Sequence, residues 1–211
     1  MRSVGEIKNI ISMKSLVTGG AGFIGSNLID QLVKLKHEVI VLDNLSSGKL
    51  SNLEHIKNKI EFINIDISKD LESIKRHFKN VDQVFHIAGL ADMLPSISNP
   101  SKYFQTNVVG TLNVLQASKE AKIKKFIYAA SASCYGNPEK YPTDEKCKID
   151  IQYPYSLTKF LGEQLVIHWA KIYSMPNISL RFFNVYGPRA SLKDAYSSVF
   201  SIFLSQKFTF L

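Results

Sequence analysis

The sequence predicts an α/β protein built on a doubly wound parallel sheet. Short apolar segments with the length of strands alternate along the chain with longer segments of helical periodicity. A cluster of glycines lies between the first strand and the first helix, and the second strand ends in an acidic residue. These three observations favour a sheet that is covered by helices on both faces.

The alternation places each element in turn. We expect strands at residues 15–18, 38–42, 60–64, 83–87, 125–129 and 179–183. We expect helices at residues 26–35, 69–78, 101–121, 155–173 and 195–206. Strands joined by crossovers in this way are typical of a Rossmann-type sheet, whose usual strand order is 3-2-1-4-5-6.

The turn after the first strand carries the glycine cluster. It fits both G-x-G-x-x-G and the related G-x-x-G-x-x-G, the second pattern comprising Gly19, Gly22 and Gly25. Glycine permits the tight turn, the approach of a pyrophosphate to the backbone and the close packing of helix on strand. The first helical N–H groups, at Phe23 and Ile24, would then face the phosphates. The turn therefore predicts a dinucleotide site, and an ordinary strand-to-helix turn is the alternative.

The second strand supports the dinucleotide interpretation. It ends at Asp43, close to the roughly 20 residues after the glycines at which an acid is expected to bind a ribose. A carboxylate binds two ribose hydroxyls well but repels a 2′-phosphate, so Asp43 favours NAD over NADP. Asn44 opens a polar loop, residues 44–52, that we expect beside the same ribose.

The ends of the third and fourth strands should complete the cofactor site, because an open α/β sheet binds ligands at the carboxyl ends of its strands. The residues expected to line it are Asp66, Ile67, Ile87, Ala88 and Gly89. His86 is interpreted as a structural histidine with satisfied hydrogen bonds. Asn107 lies within a predicted helix, where its propensity is poor, and either bonds to backbone in the site or lies on the surface.

The fifth strand and the fourth helix carry the candidate chemistry. Tyr155 and Lys159 are four residues apart and share one helix face. A tyrosine has a pKa near 10, and bringing it to about 7 requires about 4 kcal/mol. A nearby lysine and an oxidised nicotinamide could supply that stabilisation of the phenolate. Ser131, at the end of the fifth strand, can hydrogen-bond the reacting oxygen.

The bulk composition excludes several classes of function. The net charge of +8 is scattered over the chain, which favours a solvated surface over nucleic-acid binding. Cys134 and Cys147 form no disulfide framework and match no zinc spacing, so we expect no metal site and a reducing, cytoplasmic setting. No apolar run reaches the roughly 18 residues of a membrane span, so we expect no membrane partner.

The chain resembles the extended short-chain dehydrogenase/reductases, in the NAD-dependent nucleotide-sugar epimerase and dehydratase group, and most of all their UDP-glucose 4-epimerase-like members. The matching stretches are residues 18–26 (TGGAGFIGS), 42–44 (LDN), 86–88 (HIA), 131–136 (SASCYG), 155–159 (YSLTK) and 181–189 (RFFNVYGPR). The resemblance implies that Tyr155 is the general base, that Lys159 is its electrostatic partner and that Ser131 bonds the substrate oxygen. It further implies that Phe183 lies near the nicotinamide and that Ser133, Asn184 and Arg189 lie on the side of the nucleotide sugar.

The implied reaction is epimerisation at C4 of a nucleotide-linked hexose of the UDP-glucose type through a transient 4-keto sugar, with NAD as cofactor. Dehydratases and decarboxylases of the group resemble one another in carrying an acidic residue after the catalytic serine or threonine. Here Ala132 and Ser133 follow Ser131, which disfavours both reactions. Two alternatives stay open: another nucleotide-sugar oxidoreductase or dehydratase of the group, or an NAD-binding fragment without turnover.

Members of the family usually continue into a C-terminal substrate lobe, which we expect to be largely absent here. We therefore expect a leader or misassigned start at residues 1–12, an NAD-binding domain at residues 13–190 and the start of a truncated lobe at residues 191–211. A homodimer through the helices at 101–121 and 155–173 is also implied. Their apolar residues, which are equally compatible with an ordinary core, are Leu112, Leu115, Leu161, Leu165 and Trp169.

Overall fold

The computed structural model describes residues 13–190 and residue 203. The expected leader, the expected lobe at residues 191–211 and the expected helix at residues 195–206 therefore lie, apart from residue 203, outside the described residues. Within the described part of the chain, no helix is long and apolar enough to cross a membrane.

The described residues form one parallel six-stranded sheet with the order β3-β2-β1-β4-β5-β6. The strands are β1 Lys14–Thr18, β2 Glu38–Asp43, β3 Ile60–Asn64, β4 Gln83–His86, β5 Lys125–Ser131 and β6 Asn177–Phe182. This order confirms the predicted Rossmann-type fold. Because every strand runs in the same direction, all six carboxyl ends meet at one edge of the sheet, which we call the carboxyl edge.

Helices connect successive strands. They are α1 Phe23–Lys34, α2 Leu71–Lys75, α3 Met93–Ser98, α4 Pro100–Phe104, α5 Gly110–Glu120 and α6 Pro154–Tyr173. The helix α1 begins three residues before the predicted start, because Gly22 already has the extended conformation of a cap. The short helix α3 was not predicted, since it comprises only six residues and Pro95 lies within it.

The predicted helix at 101–121 is interrupted in its middle. A single widened turn with π geometry, Gln105–Val109, separates α4 from α5. Such turns often mark functional sites, because they change the direction in which side chains project. Asn107 lies in this turn, so the break decides where its amide points.

Two hydrophobic clusters cover the two faces of the sheet. Neighbouring strand residues alternate between them: Leu16 belongs to one cluster and Val17 to the other. Full burial of each such side chain stabilises the fold by about 1.5–3 kcal/mol. Leu115 is completely buried in the larger cluster, so it belongs to the core and is not available to a dimer interface.

Candidate active site

The glycine-rich turn joins β1 to α1 at the carboxyl edge. Gly19 has a φ of +70°, and a Cβ there would lie 2.6 Å from the Ala88 nitrogen. A Cβ at Gly25 would overlap the carbonyl oxygen of Gly19. At Gly22 the φ is −76°, and the nearest atom to a Cβ is the Gly19 oxygen at 3.3 Å. The fold itself therefore requires Gly19 and Gly25, while a side chain at Gly22 would need the Gly19 carbonyl to move by only a few tenths of an ångström.

Asp43 ends β2 directly beside this turn. One carboxylate oxygen accepts the Ala21 N–H at 2.9 Å, and the other accepts the Leu45 N–H at 2.8 Å. Each oxygen keeps a lone pair for a further donor. Asn44, the next residue, is exposed and accepts the Ser46 N–H at 3.0 Å. Asp43 is thus fixed in the position predicted for a ribose ligand, close to the glycine turn.

The strand ends beside β2 hold a second ordered carboxylate. Asp66 accepts hydrogen bonds from the Ser68 N–H at 2.9 Å and from the Ser68 hydroxyl at 2.7 Å. Burial raises the pKa of the Asp66 carboxyl, but these bonds and one from Asn44 outweigh it and hold the pKa below its ordinary value. Ile67 is buried in the larger core cluster, so its carbonyl, which accepts from Asn113 at 2.9 Å, is engaged in the protein.

His86 links three elements beneath the carboxyl edge. Its Nδ1 lies 2.7 Å from the Thr18 hydroxyl, and its Nε2 lies 2.8 Å from the Thr111 hydroxyl. Thr111 donates to the Asn107 carbonyl at 2.6 Å, so its oxygen accepts from the Nε2–H. This arrangement requires a neutral imidazole with its proton on Nε2. The prediction of a satisfied structural histidine is confirmed.

The burial of His86 makes stability depend on pH. Burial, together with the charge of Lys159, lowers the pKa of the imidazole from 6.5 to about 3. Below about pH 6.5, His86 is therefore protonated in the unfolded state but stays neutral in the folded state. The free energy of unfolding accordingly falls as the pH falls below that value. We expect the free energy of unfolding to decrease by about 1.4 kcal/mol per pH unit from this group.

Urea unfolding followed by the fluorescence of Trp169, the single tryptophan, tests this expectation at pH 7, 6 and 5. The variant His86→Gln should be less stable at pH 7 but should lose about 2 kcal/mol less than the parent chain between pH 6.5 and 5. Parallel pH profiles for the parent and the variant would contradict the assignment.

Asn107, in the π turn, packs against the residues that follow β4. The Asn107 amide oxygen accepts the Leu90 N–H at 2.8 Å, and its amide nitrogen donates to the Leu90 carbonyl at 3.1 Å and to the Thr158 hydroxyl at 3.0 Å. Of the two interpretations of Asn107, the surface position is therefore wrong, because the residue is buried and bonded to backbone. A Cβ at Gly89 would lie 3.0 Å from the Asn107 oxygen and 3.5 Å from Lys159 Nζ. Glycine there leaves room for both polar groups.

Tyr155 and Ser131 meet at the carboxyl edge. Ser131 lies close enough to the Tyr155 phenol to lower its pKa, and the Ser133 hydroxyl lies 2.8 Å from the Ser131 hydroxyl. The Tyr155 N–H donates to the buried Ser96 hydroxyl at 3.0 Å. Its ring packs edge-on against Tyr103, with centroids 6.5 Å apart. The phenol that was predicted as a base is therefore held in place from several sides.

Burial dominates Tyr155 in the ligand-free chain, and the predicted lowering of its pKa by Lys159 together with an oxidised nicotinamide stays a prediction. Burial raises the pKa of the phenol, the bond to Ser131 opposes this, and the charge of Asp92 raises the pKa further. Lys159 is completely enclosed, with Nζ 4.5 Å above the Tyr128 ring, and burial lowers the pKa of its ammonium to about 8. Helix spacing predicted the shared face correctly, but desolvation dominates both groups.

An ion pair that the sequence reasoning missed fixes the other end of this helix face. Arg181 on β6 donates from Nε to both oxygens of Glu163, at 3.0 and 3.1 Å, and from Nη1 to the Tyr135 hydroxyl at 2.7 Å. Glu163 is buried and follows Lys159 by one helical turn. A glutamate on the buried face of α6 was the available signal, because such a charge requires a partner.

The segment after β6 holds Arg189 against the first helix. Its guanidinium pairs with Asp30 of α1 at 2.7 Å and donates to the Asn52 carbonyl at 3.4 Å, and its predicted place on the side of the nucleotide sugar stays a prediction. Phe183 stacks on Tyr135 with centroids 6.4 Å apart, and Asn184 is exposed. The described residues include no group of three or more histidine, cysteine, aspartate or glutamate side chains suited to a metal ion.

Comparison with known proteins identifies a family and several relatives with similar sequences. The model of the NAD dependent epimerase/dehydratase family matches residues 15–207. A putative UDP-glucose 4-epimerase of Methanocaldococcus jannaschii is 40% identical over 193 residues, which cover 90% of this chain and 62% of that protein. A UDP-N-acetyl-alpha-D-glucosaminuronate decarboxylase of Bacillus cytotoxicus is 36% identical over 90% of this chain and 60% of its own length.

A solved structure agrees with the sequence comparison. The UDP-glucose 4-epimerase of Thermotoga maritima with UDP-glucose superimposes with a TM-score of 0.85 at 36% identity, and the match covers 92% of this chain and 62% of that one. The chain thus spans less than two thirds of the length of each of these three proteins.

Proposed function

Because the chain belongs to the NAD-dependent epimerase/dehydratase family, we propose that it carries the cofactor half of a nucleotide-sugar 4-epimerase. The proposed reaction inverts C4 of a UDP-hexose, of the UDP-glucose and UDP-galactose type, through a transient 4-keto sugar. The observation that carries the proposal is that the Ser131 and Tyr155 side chains lie together at the carboxyl edge, close enough for Ser131 to affect the pKa of the phenol. A sugar hydroxyl bound beside them would meet a proton acceptor and a second hydroxyl.

The residues of the glycine turn fit a dinucleotide. Gly22 presents no side chain above the turn, and the N–H groups of Phe23 and Ile24 open α1, where a helix has no carbonyls of its own to accept them. Asp43 would hold the adenosine ribose with its remaining lone pairs, and the space beside Gly89 would admit the nicotinamide end. NAD, when bound, supplies a hydride acceptor and donor for the sugar carbon.

The chain's own groups handle the proton. Tyr155 Oη would take the proton of the sugar 4-hydroxyl, and Ser131 would donate a hydrogen bond to the same sugar oxygen. In the ligand-free chain the phenol stays protonated, because burial raises its pKa. Tyr155 therefore acts as a base only when additional positive charge near its oxygen stabilises the phenolate. Lys159 is buried, so solvent does not screen the charge of its ammonium group.

The residues after Ser131 distinguish epimerisation from the decarboxylase and dehydratase alternatives. Ala132 has no acidic group, and the Ser133 hydroxyl is engaged with Ser131 at 2.8 Å. Elimination of water, or handling of a 6-carboxylate, would require an acid at this point of the site. The 36% identity to a decarboxylase keeps that reaction as the second candidate.

We further propose a homodimer in the cytoplasm. Leu157 is exposed on α6, and Leu161 and Phe160 lie partly buried on the same outward side of that helix. An apolar outward face on a surface helix is suited to pairing with a second copy. Cys134 and Cys147 are free thiols, as expected in a reducing compartment. Sedimentation equilibrium tests the dimer and should give about twice the mass of the chain.

One experiment separates the three functions that remain. NADH binding is first titrated by fluorescence, and UDP-galactose is then supplied with catalytic NAD while UDP-glucose formation is measured. Conversion without net reduced nicotinamide supports the epimerase. Steady accumulation of reduced nicotinamide indicates a dehydrogenase, and saturable NADH binding without conversion indicates a cofactor module. A reaction without added NAD is the control for cofactor that copurifies with the chain.

A further inference from the structure

Residues 183–189 connect the sheet edge to the first helix, and we call them the crossing segment. They leave β6, which is the outer strand, and reach α1, which follows β1 three strands away. Neighbouring strands lie about 4.8 Å apart, so the span is about 14 Å. Seven residues extend to at most about 25 Å. The crossing segment is therefore long enough to reach α1 from the end of β6.

Its contacts fall on one face of α1. A Cβ at Gly187 would lie 3.7 Å from the Phe23 ring, and the Pro188 carbonyl accepts from Asn27 Nδ2 at 2.9 Å. Arg189 pairs with Asp30 at 2.7 Å, and each of these two side chains is 21% exposed. Phe23, Asn27 and Asp30 are spaced four and three residues apart, as one helix face requires. The crossing segment is therefore seated on α1 along two helical turns.

Arg189 also ties the crossing segment to the loop after β2. It donates to the Asn52 carbonyl at 3.4 Å, and the Asn52 side chain donates in turn to the Ala21 carbonyl inside the glycine turn at 2.8 Å. The guanidinium thus joins three pieces of chain that surround the first turn of α1. Phe23 is the first residue of that helix and follows Gly22 in the chain, and its ring lies beside Gly187.

We infer that the crossing segment, held by the Arg189–Asp30 ion pair, retains the dinucleotide. A pyrophosphate bound at Gly22 and Phe23 would lie between the glycine turn and the crossing segment, so release of the ligand requires the segment to lift from α1. Breaking the ion pair then speeds dissociation while the binding groups themselves stay intact. This inference rests on the proposed function, because it takes an NAD-type dinucleotide as the ligand.

The test measures the dissociation of NADH from the whole chain. NADH fluorescence is followed in a stopped-flow instrument while excess NAD displaces it. We expect Arg189→Gln and Asp30→Asn each to raise the dissociation rate about tenfold with little change in the association rate. The double variant should resemble either single variant, because both remove the same contact. Asn27→Ala, which removes the bond to Pro188, should raise the rate by a smaller factor.

Two variants serve as matched controls. His55→Ala removes the other partner of Asp30, at 2.8 Å, without touching the crossing segment. Lys124→Gln removes an ion pair of 2.7 Å with Asp82 at the opposite end of the sheet. Both should leave the dissociation rate within twofold of the parent. Thermal unfolding of every variant establishes that the chain is folded at the temperature of the kinetics.

The outcomes separate the two claims. A parent chain that shows no saturable NADH binding overturns the proposed function, and the inference with it. A parent that binds NADH, with Arg189→Gln, Asp30→Asn and Asn27→Ala all dissociating at the parental rate, overturns the inference alone. An equal increase in the two control variants would assign the effect to general destabilisation and also overturn it.

Discussion

Tyr155→Phe should lower turnover of the proposed epimerase reaction by about 10²–10⁴-fold, the usual contribution of a positioned acid–base group. The change removes the Tyr155 hydroxyl, which lies beside Ser131 and is proposed to accept the proton of the sugar. The ring and its edge contact with Tyr103 stay in place. NADH affinity should change less than threefold, because the glycine turn and Asp43 are untouched. Steady-state conversion of UDP-galactose and NADH titration give the two numbers.

Tyr103→Phe is the matched control for this prediction. Tyr103 is a buried tyrosine in ring contact with Tyr155, but its hydroxyl accepts the backbone N–H of Asp92 and does not contact Ser131. We expect it to lower turnover less than about tenfold. If the two variants turned over at similar rates, or if Tyr155→Phe retained parental turnover, the assignment of Tyr155 as the base would be wrong.

Lys159→Met should make the ligand-free chain more stable, by about 1–3 kcal/mol at pH 7. Burial lowers the pKa of Lys159 to about 8 from an ordinary 10.5. At pH 7 the buried ammonium therefore destabilises the folded state relative to the unfolded state, in which water solvates it. The difference corresponds to about 3 kcal/mol, from which loss of the contact with the Tyr128 ring subtracts. Methionine fills a similar volume without a charge.

The same pKa fixes the dependence on pH. Between about pH 8 and 10.5 the folded lysine loses its proton while the unfolded lysine keeps it, so the parent chain gains stability as the pH rises. The advantage of Lys159→Met should accordingly shrink across that interval. Urea unfolding at pH 7, 8 and 9.5 measures it, with Lys124→Met, at an exposed position, as the neutral control. Destabilisation by Lys159→Met at pH 7 would contradict the prediction.

The sequence predicted those parts of the protein that depend on local pattern. Strand and helix periodicity predicted the crossovers of a Rossmann-type sheet, and β1, β2, β4 and β5 each end in a polar residue at the carboxyl edge: Thr18, Asp43, His86 and Ser131. A strand that is buried on both faces leaves polar residues only at its ends, so their position along the chain locates the carboxyl edge.

The remaining features depend on contacts between distant segments. The π turn at Gln105–Val109 holds Asn107, whose amide bonds to the Leu90 backbone, 17 residues earlier in the chain. Arg189 pairs with Asp30 on the helix that follows β1, three strands away from β6, and no spacing within residues 181–189 could indicate this. Helix spacing could not indicate that burial raises the pKa of Tyr155 in the ligand-free chain, because it gives the distance between two groups but not the solvent that surrounds them.

The glycine turn has a consequence for how this protein tolerates mutation. Substitutions at Gly19 and Gly25 collide with backbone and should be eliminated by any screen that scores only soluble expression. Alanine at Gly22 has an ordinary backbone conformation and a neighbour that needs to yield by a few tenths of an ångström, so it should survive that screen and disappear only when ligand capture is scored. Two selections applied in sequence, first for soluble expression and then for ligand capture, would therefore separate the glycines that folding requires from the glycine that only ligand binding requires.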